Sequence, residues 1–263
     1  MKKIAMILAL VMVFALAISA VPASAASEKL ILGTSADYPP FEFQYPNEKG
    51  ELVYAGVDVA VAQYIADFTG KELQIENMGF DYLLASLQKG DFDMVLAAME
   101  SSEDRLRAAD FSDPYYTDIP AKVLIRAADV DKYTDFDSFA GKSVGAQTAT
   151  TKETLVQEKL TGADLVSIQA VTDLVNQLVN NKLDAVVLDG AVAVEYAEKN
   201  KDLAVADIEF EVAEPYRVAV AKGDPKNLLP GINEAIAALL KEDKIPAFYA
   251  EAKSLEGSAV LPE

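Results

Sequence analysis

Short apolar runs of strand length alternate with helical stretches along the first half of the chain. Residues 30–34 and 73–75 are such runs, and the helical stretches at 59–70 and 80–90 that follow them each end at a glycine. Strand, helix, strand, helix is the order typical of a parallel α/β sheet. Ligands of such sheets bind beyond the carboxyl ends of the strands. The alternation therefore predicts an α/β fold and the edge of the sheet at which a site lies.

The segment 91–116 combines a strand, a polar turn and a short helix. Residues 94–98 form an apolar run that predicts a buried strand, and 101–104 carry the Ser-x-x-Asp pattern of a capped helix start. The free N–H groups of such a helix end suit an anion. Arg105 lies in the first helical turn, where a cation opposes the helix dipole, so its guanidinium is free to bind a carboxylate with two hydrogen bonds. A solvated or intrachain-paired arginine is the alternative.

Residues 1–25 have the pattern of a secretory signal peptide. Lys2 and Lys3 precede a long apolar run, and an Ala-Ser-Ala site predicts cleavage near Ala25. The expected location is therefore periplasmic or secreted. An uncleaved membrane anchor is the alternative, because the run at 4–21 just reaches the length of a span. No cysteine stands at the junction, which argues against a lipid anchor.

The composition excludes several classes of function. The chain has no histidine and no cysteine, so it has no histidine general base, no Ser-His-Asp triad, no thiol nucleophile and no His- or Cys-ligated zinc. We accordingly expect neither a metal nor a cofactor. The net charge of −19 disfavours nucleic acid as a partner, because protein contacts to phosphates are made mainly by cations.

Two extended runs divide the chain into two parts. The run at 121–125 leads into a second set of strand–helix alternations, and the run at 209–220 leads out of it. Two crossings predict two lobes joined by a two-strand hinge. The expected lobes are 28–122 plus 212–263, and 123–211.

The second part repeats the strand-then-helix pattern with polar residues at the junctions. The run 142–147 enters a helix start in which Thr150 and Glu153 match a capping box, and this helix end is a second candidate anion site. The run 183–188 predicts a buried strand that places Asp189 at its carboxyl end. A carboxylate at that edge can bind an ammonium group through a charge-assisted hydrogen bond.

Three motifs carry a resemblance to a known family. YPPFEF at 38–43, DFSDPYY at 110–116 and DAVVLD at 184–189 are similar to motifs of the amino-acid-binding proteins of ABC importers, family 3 of the solute-binding proteins. The resemblance covers nearly the whole chain after residue 28. It implies a two-lobed type II periplasmic-binding-protein fold, an amino-acid ligand between closing lobes, a membrane permease as partner, a monomer and no enzymatic activity.

The resemblance also implies roles for individual residues. Tyr38 would stack on the ligand side chain, Arg105 and Thr151 would hold the α-carboxylate, and Asp189 would take the α-ammonium group. The alternatives are a hydrophobic plug for Tyr38 and plain helix caps for Thr151 and Asp189. The expected ligand-binding residues are Asp37, Tyr38, Phe80, Ala97, Ala98, Glu100, Arg105, Gln147, Thr151 and Asp189.

Two positions depart from the family's pattern and bear on the ligand. Glu100 stands where the family usually has Thr or Ser. It could pair with Arg105 and weaken the hold on a carboxylate, or it could face a cationic ligand side chain, which we favour. Ser35 stands where many binders of basic amino acids carry Asp, although Asp37 follows two residues later. The expected ligand is a polar, possibly cationic, amino acid, with arginine or lysine foremost.

Two other classes of function use related folds. Cyclohexadienyl dehydratases share this fold, and in a lyase of that kind Glu100, Asp189 or Glu195 would serve as general acid. A receptor sensor domain is the other alternative, but such domains continue into a membrane span and this sequence ends at Glu263. We therefore expect a binding protein.

Overall fold

The protein is described here from a computed structural model that covers residues 28–211 and 213–260. The predicted signal peptide at 1–25 lies outside the described residues. Within those two ranges no helix combines the length and the apolar character that crossing a membrane requires.

The described elements alternate between strands and helices, as the sequence pattern predicts. In chain order they are β1 (Lys29–Thr34), β2 (Asp37–Tyr38), β3 (Glu42–Pro46), β4 (Leu52–Ala55), α1 (Val57–Phe68), β5 (Glu72–Asn77), α2 (Phe80–Lys89), β6 (Met94–Val95), α3 (Glu103–Ala108), β7 (Ala109–Tyr116), β8 (Lys122–Arg126), β9 (Ser143–Gln147), α4 (Thr151–Lys159), β10 (Asp164–Ile168), α5 (Val171–Val179), β11 (Ala185–Leu188), α6 (Gly190–Lys199), β12 (Leu203–Val205), β13 (Tyr216–Ala221), α7 (Leu229–Lys241) and α8 (Ile245–Leu255). Short 3-10 helices lie at Ala127–Lys132, Phe136–Phe139 and Glu256–Ser258.

Two five-stranded sheets organise these elements. The first has the order β5-β1-β6-β13-β7 and the second the order β10-β9-β11-β8-β12. In each sheet three neighbouring strands are parallel, as predicted, and the other two join by antiparallel pairing. The prediction of an α/β fold is confirmed, but both sheets are mixed and not purely parallel. We call the first sheet with its helices lobe 1 and the second lobe 2.

The predicted lobe boundaries stay a prediction. Lys122 already pairs with Leu188 in the sheet of lobe 2, and residue 212 lies outside the described residues. The run predicted to be extended at 209–220 forms a strand only from β13 onward. One cluster of buried apolar residues extends from Leu32 in lobe 1 to Leu188 in lobe 2, so the lobes pack against each other.

The turn after β6 differs from the prediction in two details. The strand predicted at 94–98 is shorter, since β6 ends at Val95, and Ala98 adopts a φ of 46° in the turn that follows. Ser102 is the N-cap of α3, one residue later than predicted, and its hydroxyl accepts a hydrogen bond from the Arg105 N–H at 3.3 Å. In the helix that begins after this N-cap, Arg105 is the buried residue.

Helix α1 is set against the 38–43 motif by a glycine that no other residue can replace. Gly56 has a φ of 123°, and a Cβ there would lie 2.0 Å from the carbonyl oxygen of Phe41. The N–H groups of Val57 and Asp58 bond the carbonyls of Pro40 and Phe41 at 3.1 and 2.9 Å. This close approach fixes the turn that carries Tyr38.

We predict that Gly56→Ala destabilises the protein by at least about 3 kcal/mol, since it adds a clash with backbone to a strained φ. Gly70→Ala is the matched control. Gly70 follows the other end of α1 with a φ of 69°, and no atom of the described residues lies within 4 Å of a Cβ there. Its replacement should cost about 1 kcal/mol. Urea unfolding measures both, and equal losses would contradict the packing argument.

Candidate functional site

A polar pocket lies between the lobes, where the carboxyl ends of strands from both sheets face each other. The ten residues that the sequence singles out all line it. The pocket also includes Ser35, Glu42, Thr150 and Lys152. Its full lining is Ser35, Asp37, Tyr38, Glu42, Phe80, Ala97, Ala98, Glu100, Arg105, Gln147, Thr150, Thr151, Lys152 and Asp189.

Arg105 presents a buried guanidinium to the pocket and is 9% exposed. Its Nη1 donates to the Glu100 carbonyl at 2.9 Å and its Nη2 to the Ala149 carbonyl, in lobe 2, at 3.1 Å. The guanidinium carbon also lies 5.1 Å from the centre of the Phe80 ring. Burial lowers the pKa of Arg105, and the charges of Glu100 and Asp189 offset part of this effect. The guanidinium thus donates to carbonyl oxygens and forms no ion pair with a carboxylate of residues 28–211 and 213–260.

Asp189 faces Arg105 from the opposite wall. It stands at the N-cap position of α6, yet its side chain caps no N–H of that helix. Instead Oδ2 accepts a hydrogen bond from the Tyr38 hydroxyl of lobe 1 at 2.6 Å. The alternative that the Asp189 side chain is a plain helix cap is therefore wrong. Tyr38 is tied to Asp189 by its hydroxyl while its ring lies 6.2 Å from that of Phe41.

Glu100 pairs with Lys152, not with Arg105. Lys152 Nζ lies 3.0 Å from Glu100 Oε1 and forms a second, shorter ion pair with Asp189. The Thr151 hydroxyl donates to the other oxygen of Glu100. Burial opposes the charge of Lys152, but attraction to Asp189 and Glu100 outweighs burial and raises the pKa of Lys152. Of the two expectations for Glu100, pairing with the Arg105 guanidinium is wrong.

The start of α4 is only partly the predicted capping box. The Thr150 hydroxyl donates to the Gln147 carbonyl at 2.7 Å and caps no N–H of the helix. Glu153 does reach back, but it accepts from the Ala149 N–H at 2.8 Å because Ala149 has a φ of 64° and turns its amide toward the helix. Gln147 donates to the Gln169 carbonyl at 3.0 Å, which orients its amide at the pocket wall.

A group of buried acids lies at the lobe 1 side of the pocket. Asp37 accepts a hydrogen bond from the Ser35 hydroxyl at 3.1 Å, and burial raises its pKa to about 6 against this bond and one from the Val171 N–H. Glu42 and Asp58 are fully buried, and burial followed by the charge of Asp58 raises the pKa of Glu42 well above its ordinary value. A protonated Glu42 can donate to Asp58. This side of the pocket becomes more negative as the pH rises.

The three carboxyl groups considered as general acids of a lyase all form ion pairs with lysine side chains. Glu100 and Asp189 both bind Lys152. Glu195 is not among the lining residues; it pairs with Lys253 and, at 3.3 Å, with Lys199. No carboxyl group of the three stands alone in the pocket.

Sequence reasoning missed Lys152 and Glu42. A lysine in the first turn of a helix is ordinarily solvated, and its two acidic partners are far away along the chain. Glu42 stands inside the YPPFEF motif, but nothing in the order of residues in that motif indicates that its carboxyl group points into a pocket. The signal that could have found Lys152 is Glu100 itself, since a buried acid requires a cation within reach.

Comparisons with known proteins show which family the chain resembles. The model of the family described as bacterial extracellular solute-binding proteins, family 3, matches residues 30–252. The arginine-binding extracellular protein ArtP of Bacillus subtilis (strain 168) is 31% identical over 211 residues, 80% of each chain. The L-cystine-binding protein TcyJ of Escherichia coli (strain K12) is 30% identical over 219 residues, 83% of this chain and 80% of TcyJ. A crystal structure of an amino acid ABC transporter substrate-binding protein from Streptococcus pneumoniae bound to L-arginine has a TM-score of 0.82 at 37% identity, over 88% of this chain and 95% of that one.

The acids beneath the pocket should make stability depend on pH. Asp58 accepts from the Ala98 N–H at 2.7 Å and the Tyr115 hydroxyl at 2.8 Å, yet burial raises its pKa to about 6. Because the pKa is raised on folding, its contribution to the free energy of unfolding is complete below pH ~4 and is lost as the pH rises through about 6. The loss is up to about 3 kcal/mol.

We therefore predict that Asp58→Asn flattens the fall in the free energy of unfolding between pH 4 and pH 7, as measured by urea unfolding. Asp110→Asn is the control. The Lys222 ammonium and the Gly223 N–H lower the pKa of Asp110, so this variant should run parallel to the wild type above pH 5. If the free energy of unfolding of Asp58→Asn falls in parallel with that of the wild type between pH 4 and pH 7, Asp58 is not the cause of the fall.

Proposed function

The chain belongs to the bacterial extracellular solute-binding proteins of family 3, and we propose that it captures a polar amino acid, L-arginine foremost, between its two lobes and delivers it to the permease of an ABC importer. The predicted two-lobed type II periplasmic-binding-protein fold is confirmed by the likeness to the arginine-bound transporter protein.

The buried charge of Arg105 is the observation that carries the proposal. Among residues 28–211 and 213–260, no carboxylate forms an ion pair with its guanidinium within 4.0 Å. A buried cation without an anion is unfavourable unless a ligand supplies one. The α-carboxylate of an amino acid matches the planar guanidinium through two parallel hydrogen bonds. Arg105 is accordingly the proposed carboxylate anchor, with Thr151 on the opposite wall.

The opposite wall supplies the complementary charge. Asp189 is buried and faces the pocket, so its carboxylate is the proposed partner of the α-ammonium group. Tyr38 holds one oxygen of Asp189 in place from the other lobe. A ligand that contacts Arg105 and Asp189 together bridges lobe 1 and lobe 2 and favours their closure.

The ligand side chain would lie toward the buried acids. Asp37 and Glu42 both line the pocket, and the carboxyl group of Asp37, which is charged above its pKa of about 6, favours a cationic side chain over a neutral one. Phe80 also lines the pocket, with its ring beside the Arg105 guanidinium. This acidic end is why L-arginine stands ahead of cystine, the ligand in the name of one relative.

We further propose that the protein is a binding protein and not an enzyme, and that it acts as a monomer outside the cytoplasmic membrane. The absence of histidine and cysteine and the binding-protein names of the relatives support the first part. The predicted signal peptide supports the second. Isothermal titration of the purified mature chain with L-arginine, L-lysine, L-glutamine and L-cystine tests the ligand. Saturable binding of none of the four would contradict the proposal.

We predict that Arg105→Ala weakens L-arginine binding by about 2–5 kcal/mol, because it leaves the ligand carboxylate without its charged partner. Arg107→Ala is the matched control, since Arg107 lies on the same helix with a side chain that is 70% exposed. It should bind within about threefold of the wild type. Titration calorimetry gives both values. Equal effects of the two substitutions would remove Arg105 from the site.

Asp37 gives a pH signature that is specific for a cationic ligand. Its raised pKa of about 6 means that it is neutral below and charged above that pH in the unliganded site. Binding of a cation favours the charged form, so affinity for L-arginine should rise by about tenfold from pH 5 to pH 7. Affinity for L-glutamine should rise less, and Asp37→Asn should remove the difference. Identical pH profiles for the two ligands would contradict a contact between Asp37 and a cationic side chain.

A further inference from the structure

Lys152 places a buried ammonium group at the centre of the pocket. Its side chain is 7% exposed. Nζ contacts three oxygens of three residues: Glu100 at 3.0 Å, Thr151 at 3.2 Å, and Asp189 in the shorter ion pair. An ammonium group has three N–H donors, so these contacts use all of them. The arrangement is a complete ammonium-binding site whose occupant belongs to the protein.

This site coincides with the one that the proposed function gives to the ligand. Asp189 is the proposed partner of the α-ammonium group, and Lys152 holds the same carboxylate. The free volume that remains in the pocket is about 20 Å³, which is room for about one water. The closed pocket therefore has no room for an amino acid beside Lys152 in this position.

The lysine also joins the two lobes. Lys152 and Asp189 belong to lobe 2, whereas Glu100 belongs to lobe 1. The ion pair with Glu100 thus bridges the cleft in the way that a ligand would. Lys152 has a long flexible stem and starts from the first turn of α4, so it can leave Asp189 without unfolding the helix.

We infer that Lys152 is an internal competitor of the ligand: its ammonium group occupies the α-ammonium subsite, and a bound amino acid displaces it from Asp189. This inference rests on the proposed function, because the subsite is assigned there. This competition makes Lys152 a determinant of specificity. The α-ammonium group of the ligand replaces a cation that is already bound, so it contributes less to affinity than it would in a site without Lys152.

A cycle of two ligands and two proteins tests the competition. The ligands are L-arginine and 5-guanidinopentanoic acid, which is arginine without its α-amine. The proteins are the wild type and Lys152→Met, which keeps an unbranched stem and removes the ammonium group. Lys152→Met should bind L-arginine at least about tenfold more tightly, because the competitor is gone and two carboxylates await a cation. It should bind the deaminated analogue more weakly, because nothing then offsets those carboxylates.

Lys159→Met is the matched control, since Lys159 lies on the same helix with a side chain that is 39% exposed. Its affinities for both ligands should equal those of the wild type. Weaker binding of L-arginine by Lys152→Met would overturn the inference and make Lys152 a ligand contact. An equal shift for both ligands would overturn it as well, because the effect would then be independent of the α-amine.

A second measurement does not depend on the ligand's identity. Acetylation of the ligand-free wild type, followed residue by residue by mass spectrometry, should modify Lys152 far more slowly than Lys159. Rapid acetylation of Lys152 would overturn the inference whatever L-arginine does. Slow acetylation of Lys152 together with no binding of L-arginine would support the internal occupant while contradicting the proposed ligand.

Discussion

Charge buried between two closing lobes is the constraint on which this structure depends. A charged group loses several kcal/mol of solvation when it leaves water unless a partner of opposite charge replaces the water. The cleft takes two cations, Arg105 and Lys152, out of solvent. It also buries the carboxyl groups of Glu100 and Asp189 and, at its lobe 1 side, those of Asp37 and Glu42. Lys152 forms ion pairs with Glu100 and Asp189, whereas the guanidinium of Arg105 bonds carbonyl oxygens. This buried guanidinium, which no carboxylate of the described residues pairs with, is the reason that we propose a carboxylate ligand.

The fold positions these charges by placing the ends of two sheets opposite each other. The turn after β6 carries Glu100 and Arg105, and β11 ends at Asp189. Helix α4 begins directly beside them with Thr151 and Lys152. Each charge stands next to a strand or helix end, where the backbone is held by its own hydrogen bonds. Opening of the cleft therefore separates Glu100 from Lys152 while it leaves Lys152 beside Asp189 in the same lobe.

Local signals in the sequence predict most of the elements because they depend on near neighbours. Helix α2 ends at the predicted glycine, and Gly90 has the left-handed conformation expected of a C-cap. Helix α1 ends one residue earlier than predicted, because Thr69 and not Gly70 is its C-cap. The strand predicted at 94–98 is too long, because nothing in an apolar run reveals that the strand ends at Val95 or that Ala98 has a positive φ. The ten residues predicted from the local patterns and the family resemblance all line one pocket.

The pairing of charges could not be predicted from the sequence. Glu100 and Arg105 are five residues apart and look like natural partners, whereas Glu100 and Lys152 are 52 residues apart. The actual pairing follows from the closure of one lobe on the other, which no local pattern encodes. For the same reason the sequence predicts a carboxylate anchor but not the lysine that competes for the other half of the ligand.

A crystal structure of the mature protein with L-arginine shows directly whether the ligand binds Arg105 and displaces Lys152. We expect the α-carboxylate on Arg105, the α-ammonium group on Asp189, and Lys152 Nζ more than about 4 Å from Asp189, beyond ion-pair distance. L-arginine bound in the cleft with Lys152 still on Asp189, or bound away from Arg105, would contradict this expectation.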